Sequence, residues 1–348
     1  MKYAQKTSAV SPIVATLVLI VVAVVGAVAV GTIMGTFSSD VAKQTNTGDV
    51  ASSASTEILT VGSTSVQPVS EALAEQYMKD HTGIKITVQG GGSGAGRAAA
   101  GMGIADLGAS SASIPSTECA QWPDLQAHRI GGSAVVIIAS SALTGSGTPL
   151  NTTAAELKTL YDATAGVTED PNTNLTLANV KKVVQRAEES GTEETFAGFL
   201  NLGSNVDSAV ADSGVTLVGA SGNAGVLQAV QQASDAIGFV DMGFAFDTTG
   251  KVVSGIQIVG IDNYPATKDA MKNAVIDMFA GNTQKTTTYP QSLAKKLYYI
   301  TNGAPNSVLK NYITWAQSPE SDTIINGAGC FSLKTIGYAN VKDLTEYC

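Results

Sequence analysis

The sequence predicts an α/β fold with parallel strand pairing, and three observations support this. From residue 57 onward, short apolar runs alternate with stretches of helical period, the order in which a helix returns the chain so that the next strand runs parallel. The first two units repeat one plan: strand 57–61 (EILTV), loop 62–65 (GSTS) and a helix, then strand 84–88 (IKITV), loop 90–96 (GGGSGAG) and a helix. The joining loops are glycine and hydroxyl residues, the composition of a tight strand-to-helix turn.

Each element has its own pattern. Val66, Val69, Leu73 and Tyr77 recur at three- and four-residue intervals, which predicts a helix to about residue 81. Strands 57–61 and 84–88 alternate, and a second helix is predicted to start near Gly94. Further strands are predicted at 105–109, 133–139, 180–184, 216–218, 236–240 and 256–259. Helices are predicted at 267–281, 289–301 and 308–317, the last with Trp315 on its apolar side. No internal repeat of fixed period is present.

The 348 residues are enough for two domains of ordinary size. Hydrophobic residues make up 44% and charged ones 14%, enough apolar material for real cores. A net charge of -9 argues against a nucleic-acid partner, which calls for a basic surface. Any bound anion must therefore be held by local donors against the overall field. His81, His128, Cys119, Cys330 and Cys348 have no metal-site spacing, and no metal or cofactor is expected. Cys330 and Cys348 flank the last segment and would staple the C-terminus in an oxidising compartment, with Cys119 as the alternative partner or a buried thiol.

Residues 12–37 contain no charge and are long enough to cross a bilayer as one helix. Lys2 and Lys6 precede them, so the N-terminus is expected in the cytoplasm and the rest outside. Residues 38–56, rich in Ser, Thr, Ala and Asp, read as a flexible tether. Asn151 and Asn174 each begin an N-glycosylation sequon. The stretch KTSAVSPIVATLVLIVVAVVGAVAV resembles the N-terminus of archaeal type IV pilin-like proteins. That resemblance implies a leader of residues 1–8 cut before Ala9, and a retained helix 9–37 that anchors the protein or self-associates in a surface filament. The helix is nearly all Val, Ala, Ile and Gly, small residues that pack closely against other helices.

Three loops share one chemistry: 62–65, 90–96 and 189–192 each set small residues and hydroxyls just before a helix. At a helix start the first N–H groups lack partners and the dipole is positive, so an anion fits there. Ser and Thr are also ordinary N-caps and Gly an ordinary turn former, so the recurrence carries more weight than any one loop. Arg186 stands four residues ahead of Ser190, and its planar fork holds two oxygens of an oxyanion at once. Its plain structural role would be a surface ion pair with Glu188 or Glu189. Nucleotide readings fit less well. No lysine follows a glycine in loop 90–96, and 109–113 (ASSAS) lacks the acidic residue that a Rossmann unit sets on the ribose. Arg97, at the end of that loop, is expected to face solvent. No nucleophile–base pair and no Gly-x-Ser-x-Gly elbow suggest catalysis.

Six motifs then resemble, in order, the phosphate-binding proteins that feed ABC phosphate importers: GSTSVQP at 62–68, VQGGGSGAG at 88–96, ADLGASSASIP at 105–115, IGGSAVVI at 130–137, RAEESGTEETF at 186–196 and AIGFVDMGFA at 236–245. The resemblance implies a two-lobed, type II periplasmic-binding-protein-like fold closing on a dehydrated anion, with lobe 1 at 57–138 and 243–348 and lobe 2 at 139–242. It implies Thr64, the Ser65 backbone N–H and Ser93 as donors from lobe 1, and Arg186, Ser190, Gly191 and Thr192 from lobe 2, with Glu188 orienting the arginine. Ser111 stands where the family often has an aspartate that accepts the proton of hydrogen phosphate and repels sulfate. The implied partners are inorganic phosphate and an ABC permease. The alternatives are another tetrahedral oxyanion (sulfate, tungstate or molybdate) and a filament subunit displaying this fold.

Overall fold

The computed structural model describes residues 56–145, 149–162, 173–203, 206, 215–247, 249–282, 289–339, 341 and 344–348. The expected leader, apolar helix and tether lie outside the described residues, as does most of the segment that precedes Thr173. Among the described residues no helix is long and apolar enough to cross a membrane.

The chain alternates as expected. Its first half runs β1 (Thr56–Gly62), α1 (Gln67–Asp80), β2 (Ile84–Gly90), α2 (Ser93–Gly101), β3 (Leu107–Ser110), α3 (Ser116–Gln121), β4 (Leu125–Ser140), β5 (Asn151–Thr152) and α4 (Ala154–Tyr161). It continues with β6 (Lys182–Arg186), α5 (Gly191–Phe199), β7 (Thr216–Ala220), α6 (Gly222–Gln231), β8 (Ala236–Asp241) and α7 (Met242–Ala245). Then follow β9 (Ile256–Ile258), β10 (Gly260–Ile261), α8 (Lys268–Ala280), β11 (Ala294–Asn302), α9 (Ser307–Ala316), α10 (Asp322–Gly327), β12 (Phe331–Ser332) and β13 (Thr345–Tyr347).

One curled sheet runs in the order β2-β1-β3-β11-β4-β8-β6-β7, with β9, β12 and β13 also paired to β4. Pairing is parallel within each α/β half, where β1 joins β2 and β3, and β6 joins β7 and β8. It is antiparallel where β11 and β4 join the halves, so the sheet is mixed rather than wholly parallel. The 16-residue β4 makes the join: its first half pairs with β11 and β13, and its second half pairs with β8 and β9. The result is an α/β, two-lobed, periplasmic-binding-protein-like fold.

Two main cores follow. In the first, Val66 at the N-cap of α1 and Val69, Leu73 and Tyr77 within it pack with Ile58, Ile86, Leu107, Leu297, Tyr299 and Tyr312. In the second, Val135 to Ala139 of β4 pack with Val183, Val184, Ile237 and Phe239, and with Ile256, Met271, Val275 and Leu293 from later in the chain. Phe196 stacks on Phe239 at 4.2 Å between ring centroids, with Tyr161 edge-on to Phe196 at 5.0 Å. Burying such a ring contributes roughly 2 to 3 kcal/mol, and an aromatic pair about 1 kcal/mol more.

Residues 289–301, expected as a helix, instead form a single 3₁₀ turn at Gln291–Leu293 and then β11. The spacing of Leu293, Leu297 and Ile300 imitates a helical stripe, but Tyr298, Tyr299 and Ile300 favour a strand, and β11 is buried on both faces between two cores. The disulfide also differs from expectation. Cys119 bonds Cys348, with Cα atoms 5.1 Å apart, and Cys330 is a buried free thiol. The cause is topological: β13 pairs with Gln126 to His128 of β4, which carries the C-terminus to α3 and away from Cys330. Both sequon asparagines are hydrogen-bonded within the fold: Asn151 Nδ2 donates to Asn263 Oδ1 at 2.9 Å, and Asn174 Nδ2 donates to the Pro149 carbonyl at 2.8 Å.

Candidate oxyanion site

The parallel strands of both halves end at one cleft. The segments that follow β1 (Ser63 to Ser65), β2 (Gly91 to Ser93), β3 (Ser111) and β7 (Ser221 to Asn223) meet there, with Arg186 and Asp241 at the ends of β6 and β8. Ligand sites of open α/β sheets form at such strand ends. The loops are glycine-rich because the halves touch backbone to backbone. A Cβ on Gly92, whose φ is 93°, would meet the Glu189 carbonyl oxygen at 2.4 Å, and one on Gly191 would meet Ser111 Oγ at 2.5 Å. Alanine at either position would hold the loops apart.

The sequence-predicted residues come together. Ser65 Oγ lies 2.9 Å from Thr192 Oγ1 across the cleft. Ser93 Oγ accepts from Ser111 N at 3.1 Å and Gly191 N at 3.2 Å, and lies 3.3 Å from Ser111 Oγ. Ser63 Oγ donates to Ser111 Oγ at 3.0 Å. The Ser65 backbone N–H turns to Ser63 Oγ at 3.3 Å. Ser190 caps α5, accepting from Thr192 N at 3.2 Å.

Arg186 is 2% exposed. Its Nη2 donates to Thr64 Oγ1 at 3.0 Å and to Glu188 Oε1, which also accepts from Gly222 N at 3.1 Å. Its Nε and Nη1 are buried with no protein acceptor. Leaving charged donors so buried is costly unless something completes them. The ion pair with Glu188 suggested by the sequence is present, and it uses one edge of the guanidinium while leaving the rest free.

Three residues that the sequence reading missed complete the cradle. Lys295, on β11, donates to Ser65 Oγ and Thr192 Oγ1, each at 2.8 Å, and pairs with Asp241 Oδ2 at 2.9 Å. Asn223, in the first turn of α6, donates to Thr64 Oγ1 at 3.1 Å and Ser65 Oγ at 3.2 Å, while its Oδ1 accepts from Asp241 N at 2.9 Å. Asp241 Oδ1 accepts from Ser133 Oγ at 3.0 Å and Gly243 N at 3.1 Å. Asn223 had a signal: residues 220–223 (ASGN) form a fourth small-residue loop ahead of a helix. Asp241 was a lone carboxylate at the end of an apolar strand. Lys295 had no signal once its segment was read as a helix.

Burial pushes the Lys295 ammonium below its ordinary pKa, a pull that the neighbouring Asp241 carboxylate partly offsets. Burial likewise pushes the Cys330 thiol up, keeping it neutral behind this pair. The cations Arg186 and Lys295 face the carboxylates Glu188 and Asp241, so formal charge in the cleft sums to zero. A solvent cleft of about 460 Å³, lined in part by Ser111, Glu194, Lys295, Lys296 and Tyr298, opens beside the cradle.

Arg97 departs from expectation. It is fully buried, with Nε 2.7 Å from Glu118 Oε2 and Nη2 2.6 Å from Glu189 Oε1. Helix α2 is all Gly and Ala around it and packs so tightly that Gly96 lies against Gly62, which draws the guanidinium under the Glu189 loop.

No curated protein matches the chain. Among solved structures, it is similar to a protein assigned as a phosphate ABC transporter substrate-binding protein, with bound phosphate, from Clostridium perfringens, at 18% identity and TM-score 0.60, covering 79% of this chain and 99% of that one. It is also similar to an ABC-type phosphate transport receptor from Vibrio cholerae, at 19% identity and TM-score 0.54, with the same coverages. At such identities these likenesses show the fold. The family model of the PBP superfamily domain matches residues 47–320, and the chain belongs to that superfamily.

Proposed function

We propose that the protein is a cell-surface receptor that captures inorganic phosphate and delivers it to an ABC permease. The observation that carries this reading is Arg186: a buried guanidinium with Nε and Nη1 unmatched, set among hydroxyls contributed by both halves of the cleft. An oxyanion is the ligand that completes such buried, charged donors. Thr64, Ser65, Ser93, Ser111, Ser190, Gly191 and Thr192 are the proposed contacts, with Glu188 orienting the arginine. The similarity to structures of phosphate transport receptors supports phosphate as the anion. Closure of the two lobes is the signal a permease would read. The apolar segment 12–37 supports a tether on the outer membrane face.

Calorimetric titration of the purified protein with phosphate tests the reading. Saturable binding by the wild type, weakened by roughly 30-fold or more in Arg186→Ala, is the expected result. Binding that survives Arg186→Ala unchanged would place the ligand elsewhere.

A further inference from the structure

We propose that Lys295 is a positioning residue that ties the anion site to the strands joining the two halves, and that it sets how long the closed cleft holds its ligand. This inference rests on the oxyanion reading above and adds to that site a residue that acts through Ser65 and Thr192.

The first observation is where Lys295 stands. It lies opposite Ser133 in the pairing of β11 with β4, and Asp241 lies opposite Val135 in the pairing of β4 with β8. Ser133 and Val135 are two positions apart, so Lys295 and Asp241 meet where β4 passes from one half of the sheet to the other. Opening and closing of the halves turns about these joining strands.

The second is what its ammonium reaches. Ser65 Oγ, from the loop after β1, and Thr192 Oγ1, from the first turn of α5, each accept from Lys295 Nζ at 2.8 Å. The two hydroxyls come from opposite halves and lie 2.9 Å from each other. Asp241 Oδ2, 2.9 Å from the same nitrogen, makes the hold a three-point one. Asn223 repeats the tie from α6: it donates to Ser65 Oγ at 3.2 Å, and its Oδ1 accepts from Asp241 N at 2.9 Å. An ammonium has three protons to place, and here they are placed together only while Ser65 and Thr192 stay side by side. Opening the cleft takes at least one of those partners away.

The third is that the pair is buried. Lys295 is 4% and Asp241 0% exposed. Desolvation offsets the attraction of such a pair, and neutral side chains of similar volume often replace one without loss of stability. Stability therefore gives little reason for an ion pair at this place, whereas a role in the site it touches does. Asp241 balances the charge of Lys295, which lets a second cation stand near Arg186.

The test removes both charges at once. Lys295→Met combined with Asp241→Asn keeps the volumes and leaves neither charge buried alone. With inorganic phosphate on the full chain, stopped-flow displacement should show release about tenfold to a hundredfold faster, with association within about threefold of wild type. The denaturant midpoint should change little. On the wild type itself, the Nζ nuclear magnetic resonance signal of Lys295, assigned by its loss in Lys295→Arg, should shift as phosphate saturates the site. Wild-type release and affinity in the folded double variant overturn the inference and leave the receptor reading standing. If the double variant does not fold, an unmoved Lys295 signal at saturating phosphate overturns it in the same way. A wild type that binds no phosphate overturns both.

Discussion

Arg97 and Glu189 join the two sides of the cleft: the guanidinium of α2, wholly buried, holds the carboxylate of the loop that leads into α5 at 2.6 Å. Its Nε holds Glu118 at 2.7 Å. Arg97→Met keeps the packing volume and removes the latch. Both carboxylates can reach water once released, Glu189 being largely exposed already, so the stability cost should be modest, about 1 to 3 kcal/mol. The larger expected effect is on closure. Ligand release, followed by stopped-flow displacement, should be about tenfold faster or more, and unchanged release would remove the latch from the mechanism.

The fork of Arg186 separates charge from geometry. Arg186→Lys retains a cation but cannot hold Glu188, Thr64 and an anion in one plane. Truncating one partner of a buried charged pair costs about 2 to 5 kcal/mol, so Arg186→Ala should weaken binding by roughly 30-fold to several thousandfold. Lysine should fall between alanine and wild type. A lysine variant equal to wild type would show that charge alone suffices.

How much of this could be read beforehand depended on whether the signal was local. Loops 62–65, 90–96 and 189–192 were legible because the need for glycine and a hydroxyl at a helix start is met within a few residues, and Arg186 was legible because it lies on the same stretch as its loop. Lys295 depended on telling a doubly buried strand from a helix, and for short apolar runs the two periods overlap. Arg97 was missed because its partners lie 21 and 92 residues away. Ser65, through its backbone N–H, and Thr192 were named as anion contacts, but the lysine that reaches both of their hydroxyls arrives from β11, about 100 residues beyond Thr192 in the chain.

The cysteine pairing gives a chemical prediction. A non-reduced digest should contain a Cys119–Cys348 peptide, and a Cys330–Cys348 peptide would contradict the fold at β13. Cys330 should resist thiol reagents until the protein unfolds, since burial keeps it both inaccessible and protonated. The bond spans 229 residues, so the loop-entropy account sets its contribution at up to about 5 kcal/mol. The Cys119→Ser, Cys348→Ser double variant should unfold at clearly lower denaturant concentration. An unchanged midpoint would mean that the C-terminal strand is held by its hydrogen bonds alone.

His128 gives stability a dependence on acid. Its ring lies 2.9 Å from Thr301 Oγ1 and 3.1 Å from Thr345 Oγ1, tying β4 to β11 and β13, and burial pushes its pKa down to about 4 from the ordinary 6.5. Between those values the unfolded chain binds a proton that the folded chain does not, so stability rises with pH across the window. The contribution is therefore complete above about pH 6.5 and is lost as pH falls toward 4, by up to about 3 kcal/mol. Carboxylates titrate in the same range, so the measurement is a difference: denaturant midpoints of wild type and His128→Gln at pH 7, 5.5 and 4.5. The wild type should lose stability faster than the variant on acidification. Parallel losses would mean that the ring is protonated in the fold and that its two threonine contacts accommodate the charge.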